Sequence, residues 1–453
     1  SSRRRHTRLQ GDWSSDVCSS DLSADNSNWN NVVNGTPANA SYTNATSNNT
    51  FSVTGTIAAG TYYYRCVVTA SGSGCGSINS NAGTLTVTAT NTWSGTTSAD
   101  WNTASNWSCG YVPTASSNVV IPSGTTNSPN ITSANAVANS VTINASASLT
   151  MSNGNTLSIT SGGSITNNGS FNAGNGIVSF LGTATVSGST TFNTVYLNGS
   201  VTFNNAYTVN GTLRINANGA VSSNAPTYGA SSTLQYNTGG SYNRSTEWTT
   251  ATSGAGYPNN VQISNPGTVT TLNMLTTAAR CAGNLTIDAS TVMNTTSGGL
   301  TVLGNLTSNG TITTGGTLTV SGNITFNGSY SFGADVYAGG DYTIGASASP
   351  SNNGFAVFFN KATGNQTITR TGGGVVFFDY LLIDKATSGN VQISSSPATD
   401  ITINTTTGNF LQINNTGGLD LNGRTLNLNN DGGSIYVNGA RSITSGEIGR
   451  AHV

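Results

Sequence analysis

The chain has 453 residues with 15 Asp+Glu against 14 Lys+Arg, and only 6% of it is charged, against about 25% in ordinary globular proteins. Without a basic patch, nucleic acid is not an expected partner, and no apolar run reaches the length of a membrane helix. Counting the 56 glycines with the apolar residues brings the apolar share to about 47%, enough for a continuous core, and persistent period-2 patterning with negligible net charge excludes disorder.

In chain order, residues 1–22 differ in composition from the rest of the chain. They hold a basic run, Arg3-Arg4-Arg5-His6, and then DWSSDVCSSDL (12–22). That string translates codon by codon from a sequencing adapter, SRRRHTR (2–8) from the adjoining primer, and IGRAHV (448–453) from the opposite adapter. The alternative for the basic run is a targeting or nucleic-acid arm. Residues 1–22 and 447–453 are therefore expected to be translated adapter, and the stretch between them an open-ended metagenomic fragment. Between them stand no histidine and one glutamate, Glu247.

Residues 23–90 contain three strand-like runs, NTFSVTG (49–55), GTYYYRCVVTA (60–70) and GTLTVTA (83–89). Tyr64 lies two residues before Cys66, the spacing of a tyrosine corner. Together with GCGSINSNAGTLTV (74–87), the segment resembles the Ig-like modules of large bacterial surface proteins, notably of Bacteroidetes type. The resemblance implies a truncated Ig-like β-sandwich lacking its first strands. Cys66 and Cys75 are the candidate disulfide, but with Cys109 and Cys281 three pairings are open and the sequence does not choose. No CxxC spacing suggests zinc.

Residues 91–136 form a Trp-rich capping module, TWSGTTSADWNTASNWSCGYVPTASSNVVIPSG (92–124). The string resembles the leader before β-helical regions of bacterial adhesin-like and autotransporter-associated proteins. Trp93, Trp101 and Trp107 read as an aromatic lid over a solenoid end; the alternative is a stacking platform for sugars.

From 137 to 446 a short unit recurs. GNLT at 283–286 returns as GNLT at 304–307, GNIT at 322–325 and GDYT at 340–343, spaced 21, 18 and 18 residues. Such self-similarity marks a solenoid. Within each coil, apolar residues alternate with Thr, as in Leu300-Thr301-Val302 and Ile324-Thr325-Phe326, so the coils are built of strands. The expected fold is all-β: a parallel β-solenoid (β-helix) preceded by the truncated Ig-like sandwich. About 310 residues at 18–21 per coil give roughly 15–17 coils, stacked ~4.8 Å apart. Gly and Asn at the corners are expected to supply left-handed backbone. Asn284, Asn305, Asn323 and Asp341 share one corner, predicting a hydrogen-bonded side-chain ladder, and Thr286, Thr307, Thr325 and Thr343 predict an outward Thr row. An interruption at 234–263 carries Tyr242, Arg244, Glu247 and Trp248. It is the most chemically varied loop, the candidate ligand contact, with Arg244 and Glu247 read as a surface ion pair.

Catalysis is tested against these residues. Asp379 and Asp384 are the closest acid pair, but five residues apart on one strand they face opposite ways, and without histidine no Ser–His–Asp site forms. No enzyme activity, cofactor or metal is expected. A Thr row also fits ice binding, although Thr-x-Thr columns are lacking (Thr301, Thr319, Tyr337 vary). The repeats as a whole resemble the β-strand-repeat surface proteins of Bacteroidetes exported by type IX secretion. That resemblance implies a structural or adhesive stalk at the bacterial cell surface, with cell-surface glycans or other surface proteins as partners. The alternative is a carbohydrate-binding or polysaccharide-degrading β-helix.

Overall fold

The computed structural model describes residues 17–37, 40–43, 51–54, 57, 60–69, 76–87, 90–405, 407–429, 432–438 and 442–450. The chain forms two compact units, Ser1–Asn91 with Ser116–Asn118, and Thr92–Ala115 with Val119–Val453.

In the first unit the expected strands appear as Ser52–Thr54, Gly60–Thr69 and Gly83–Val87. Gly60–Thr69 is central, pairing antiparallel with Val17–Ser23 on one side and with Ile78–Asn79 and Gly83–Val87 on the other. Ser41–Thr43 and Ser52–Thr54 form a separate pair. The described residues thus make one five-stranded sheet and one two-stranded pair, not two full facing sheets. Among the described residues the Tyr64 hydroxyl meets no backbone group of a tyrosine corner; it lies 3.2 Å from the Tyr42 hydroxyl, and its ring packs on Phe51. Arg65 pairs with Asp21 at 3.0 Å and lies over the Trp29 ring. Cys75 is outside the described residues, and the Cys66–Cys75 bridge with it.

Both terminal stretches of adapter-like sequence contribute strands. Val17–Ser23 enters the first sheet, and Glu447–Arg450 pairs in parallel with Thr425–Leu428. Ladder hydrogen bonds need no particular side chains, and an open strand edge accepts any extended segment. Ile448 remains 49% exposed in that strand, so the pairing rests on backbone more than on burial.

The second unit is a parallel β-solenoid of about 16 turns. A typical coil has three short strands, for example Leu285–Ile287, Val292–Thr295 and Leu300–Val302, each paired in parallel with its counterpart one coil on. The alternation holds: Leu285, Ile287, Leu306, Ile324 and Phe326 are buried, while Thr286, Thr307 and Thr325 are half-buried and outward. Removing these apolar side chains from water stabilises each coil by about 1.5–3 kcal/mol per residue, but only when the next coil covers it.

One column of strands runs through the whole solenoid, whereas the others are replaced along the way. The column that starts at Ser241–Asn243 ends at Pro350–Ser351. Pro350 has no N–H to continue a ladder. A new column then begins at Gly374–Phe378 and continues through Thr399–Ile403 and Thr425–Leu428.

The corners differ from expectation. Gly283, Gly304, Gly322 and Gly340 do not have left-handed backbone. They are glycine because the previous coil lies too close: a Cβ on Gly322 would stand 2.5 Å from Asn305 Oδ1 and 2.6 Å from Gly304 O. Left-handed residues occur at other turns, such as Asn153, Ser290 and Asn353.

The ladder exists, but it runs from side chain to backbone. Asn284 Oδ1 accepts the Asn305 N–H, Asn305 Oδ1 that of Asn323, and Asn323 Oδ1 that of Asp341, each at 2.8 Å; Asp341 Oδ1 then accepts the Thr367 N–H at 2.9 Å. Thr286, Thr307, Thr325 and Thr343 are in register and extend to Thr369. On the far side of that Thr row Asn327 Nδ2 donates to Asn309 Oδ1. The outer face there reads Asn–Thr–Asn, not Thr-x-Thr.

Candidate functional site

The Trp-rich module is built around Asn106, buried in a loop that its own amide ties shut. Its Oδ1 accepts the N–H groups of Thr97 and Ser98, and its Nδ2 donates to Ser98 Oγ and Asp100 O. This brings Trp93 and Trp101 edge-on to Trp107, with centroids 4.9 and 4.7 Å apart. All three are buried in the solenoid core. Trp93 Nε1 donates to Asn127 O and Trp107 Nε1 to Trp101 O. Buried indoles present no face to a sugar, so the three rings serve as core.

The interruption at 234–263 also turns inward. Ser241–Asn243 joins a strand column, and the chain then folds under itself. Trp248 is fully buried, its Nε1 donating to Arg280 O at 2.8 Å. Glu247 is fully buried as well. Its Oε1 accepts from Tyr236 Oη at 3.0 Å and from the Ser245 N–H at 2.9 Å, and its carbonyl accepts from Tyr228 Oη at 2.7 Å. Tyr242 is half-buried, its ring 5.5 Å from that of Tyr236.

No surface ion pair joins Arg244 to Glu247. Arg244 is buried and donates to the carbonyls of Ala278 and Thr277 and to Thr277 Oγ1. Those carbonyls lie in a turn, and the guanidinium's several N–H donors pair with them in place of a carboxylate acceptor. Burial raises the Glu247 pKa above the ordinary glutamate value, against the opposing hydrogen bonds from Ser245 and the tyrosines. Burial, and after it the Glu247 charge, pushes Tyr207 and Tyr236 well above the ordinary tyrosine value. Burial also lowers the Arg244 value. The cluster is a closed polar plug in an apolar core, with Tyr207 stacked on Phe203 at 3.7 Å beside it.

An open site lies elsewhere, where one strand column stops and its replacement starts. A groove of ≈ 470 Å³ is lined by Pro350, Asn352, Asn353, Phe377, Asp379 and Asn404, with Ser351. In the run Gly374–Phe378, Val376 and Phe378 point into the core, so Phe377 points out and is 39% exposed. Asp379 is not on one strand with Asp384, as the sequence suggested. It is a corner residue between Gly374–Phe378 and Tyr380–Lys385, which belong to different sheets. The earlier corner clamps this segment. Asn352 Nδ2 donates to Phe377 O at 2.8 Å, and the Gly354 N–H donates to Asp379 Oδ2 at 2.6 Å.

Phe377, Asn352, Asn353 and Asn404 were not singled out by sequence reasoning. The legible signal was parity: in VVFFD an outward Phe stands two residues before an acid. The partner residues from neighbouring coils carry no such mark.

Fold and site together define a parallel β-solenoid repeat protein. Residues 92–257 match the family described as a domain of unknown function (DUF8693). That match opens at the first residue of the second unit and closes just after the plug bearing Glu247 and Trp248. No curated protein and no solved structure matches the chain.

Proposed function

We propose that this chain is a non-catalytic structural and adhesive stalk of a secreted or cell-surface bacterial protein. One observation carries the reading: the outward polar residues are engaged in holding coil to coil. Besides the Asn284–Asp341 ladder, Gln235 Nε2 donates to Gln262 Oε1 and Gln262 Nε2 to Asp288 Oδ2, while Arg214 donates to Gln235 Oε1 and stacks on Tyr196. Another series runs from Asn237 through Asn216 to Asn198. Such rows resist separation of the coils without presenting reactive groups. The surface location is supported by a face of Ser, Thr, Asn and Gly with very few charges, and by the resemblance of the repeats to exported surface proteins. Incubating the full chain with a panel of plant, algal and microbial polysaccharides tests the non-catalytic part. No new reducing ends and no unsaturated products are expected; release of either from any of them would overturn it.

A further inference from the structure

We propose that the groove between Pro350 and Phe377 is a binding subsite for a neutral carbohydrate chain. This inference stands on the groove alone and does not need the stalk reading.

The groove combines the two kinds of surface that a sugar presents. Sugar rings have apolar C–H faces and equatorial hydroxyls. Phe377 offers an exposed aromatic face, which stacks on apolar surface at low entropic cost because the ring has few rotatable bonds. Beside it stands the Asp379 carboxylate, one oxygen held by the Gly354 N–H and the other without a hydrogen bond among the described residues. Asn404 lies opposite Asp379 in the next coil, since Phe378 pairs with Ile403. Its Oδ1 accepts from Asn429 Nδ2 at 3.3 Å, which directs its Nδ2 to donate elsewhere. An acceptor and a donor one strand spacing apart (about 4.8 Å) suit two neighbouring hydroxyls of one sugar.

The walls are set before any ligand arrives. Asn353 Nδ2 donates to Phe332 O and Ser331 Oγ, and its Oδ1 accepts from Ser351 Oγ. Asn352 Oδ1 is a buried acceptor with no partner among the described residues, a deficit that a bound polar group or water fills. A site held in this way loses little entropy on binding. The lining also excludes other ligand classes. It contains no Lys or Arg, so an anion meets only the Asp379 charge. One carboxylate is too few for a calcium cage. The polar walls disfavour a wholly apolar ligand. The volume falls in the range of small-ligand sites.

Titration calorimetry on the full chain with cellohexaose, laminarihexaose and mannohexaose, and with an oligogalacturonate as the charged comparison, tests this. At least one neutral oligosaccharide is expected to bind, with about tenfold weaker affinity (about 1.4 kcal/mol) in Phe377→Ala and a clear loss in Asp379→Ala. Tyr436→Ala, which removes an aromatic 44% exposed outside the groove, is expected to bind as the parent does. Absence of binding by all three neutral oligosaccharides overturns the proposal. So does preference for the oligogalacturonate, or affinity unchanged in both groove variants while circular dichroism is native. Reducing ends assayed in the same samples separate the two readings: their release overturns the non-catalytic stalk alone, whereas failure to bind overturns this subsite alone.

Discussion

The Tyr236 hydroxyl donates to the Glu247 carboxylate at 3.0 Å in a space that excludes solvent from both residues. A buried carboxylate is costly when charged, so the fold favours the protonated form. Around it stand Tyr207, Tyr228, Tyr236 and Tyr242, with Arg244 turned away to the carbonyls of Thr277 and Ala278.

The pH dependence follows from that direction. Burial holds the folded pKa of Glu247 above the ordinary glutamate value. Its contribution is therefore fully present below the unfolded value and is lost as pH rises through the folded one. Thermal midpoints of the full chain are expected to fall from mildly acidic to mildly alkaline pH. In Glu247→Gln that slope flattens, because the amide stays neutral and still accepts from Tyr236 and Ser245. Glu247→Ala leaves the Ser245 N–H and the Tyr236 hydroxyl unpaired and is expected to cost about 2–4 kcal/mol at mildly acidic pH, less as pH rises. An unchanged slope in the Gln variant would contradict this account.

Corner glycines separate steric need from conformational need. Gly322→Ala puts a methyl 2.5 Å from Asn305 Oδ1 and is expected to destabilise by about 1–3 kcal/mol, as overpacking does. Gly240 has neither left-handed backbone nor any atom within 4 Å of the added carbon. Gly240→Ala is expected to be neutral or to stabilise by about 0.4–1 kcal/mol through the unfolded chain. Equal effects in denaturant titrations would refute the distinction.

The ladder makes a similar pair. Asn305→Ala removes the acceptor of the Asn323 N–H, with an expected cost of about 0.5–1.5 kcal/mol and faster hydrogen exchange at that amide. Asn305→Asp retains the acceptor, as Asp341 does naturally, and should keep the protection. Loss of protection in both variants would mean that Asn305 holds the corner in some other way.

Cys281 is fully buried, and burial pushes its thiol up to about 12. The thiolate is the reactive form. Mass spectrometry after alkylation at neutral pH is expected to leave the Cys281 peptide unmodified until the coils open, making it a local unfolding reporter. Rapid labelling of the native protein would show that the core there is open.

Trp101→Ala is expected to cost about 3–5 kcal/mol, since the ring is fully buried against Trp107. Its effect should appear as early melting of residues 92–136 in hydrogen exchange. Unaltered protection of that module would refute its role in the core.

The repeats were legible because a strand that buries one face needs strict alternation, and Leu300, Leu318 and Val336 declare it at each turn. The site was less legible. Arg244, Glu247 and Trp248 have the composition of a surface loop, and only packing reveals that an apolar interior has room for them. Glycine at 304 and 322 was correctly tied to corners, but for the wrong reason, since the obstacle is a neighbouring coil and not a φ angle.

Periodicity alone thus determined a parallel solenoid, its inward and outward rows and the shared corner of Asn284, Asn305, Asn323 and Asp341, because those are properties of a residue and its near neighbours. Only the tertiary structure decided which rows end and what lies beside them. Asn352 meets Phe377, and the Gly354 amide meets Asp379, each across 25 residues. Such contacts depend on coil length and stacking register, and the groove exists because one strand column stops at Pro350 and its successor starts at Gly374.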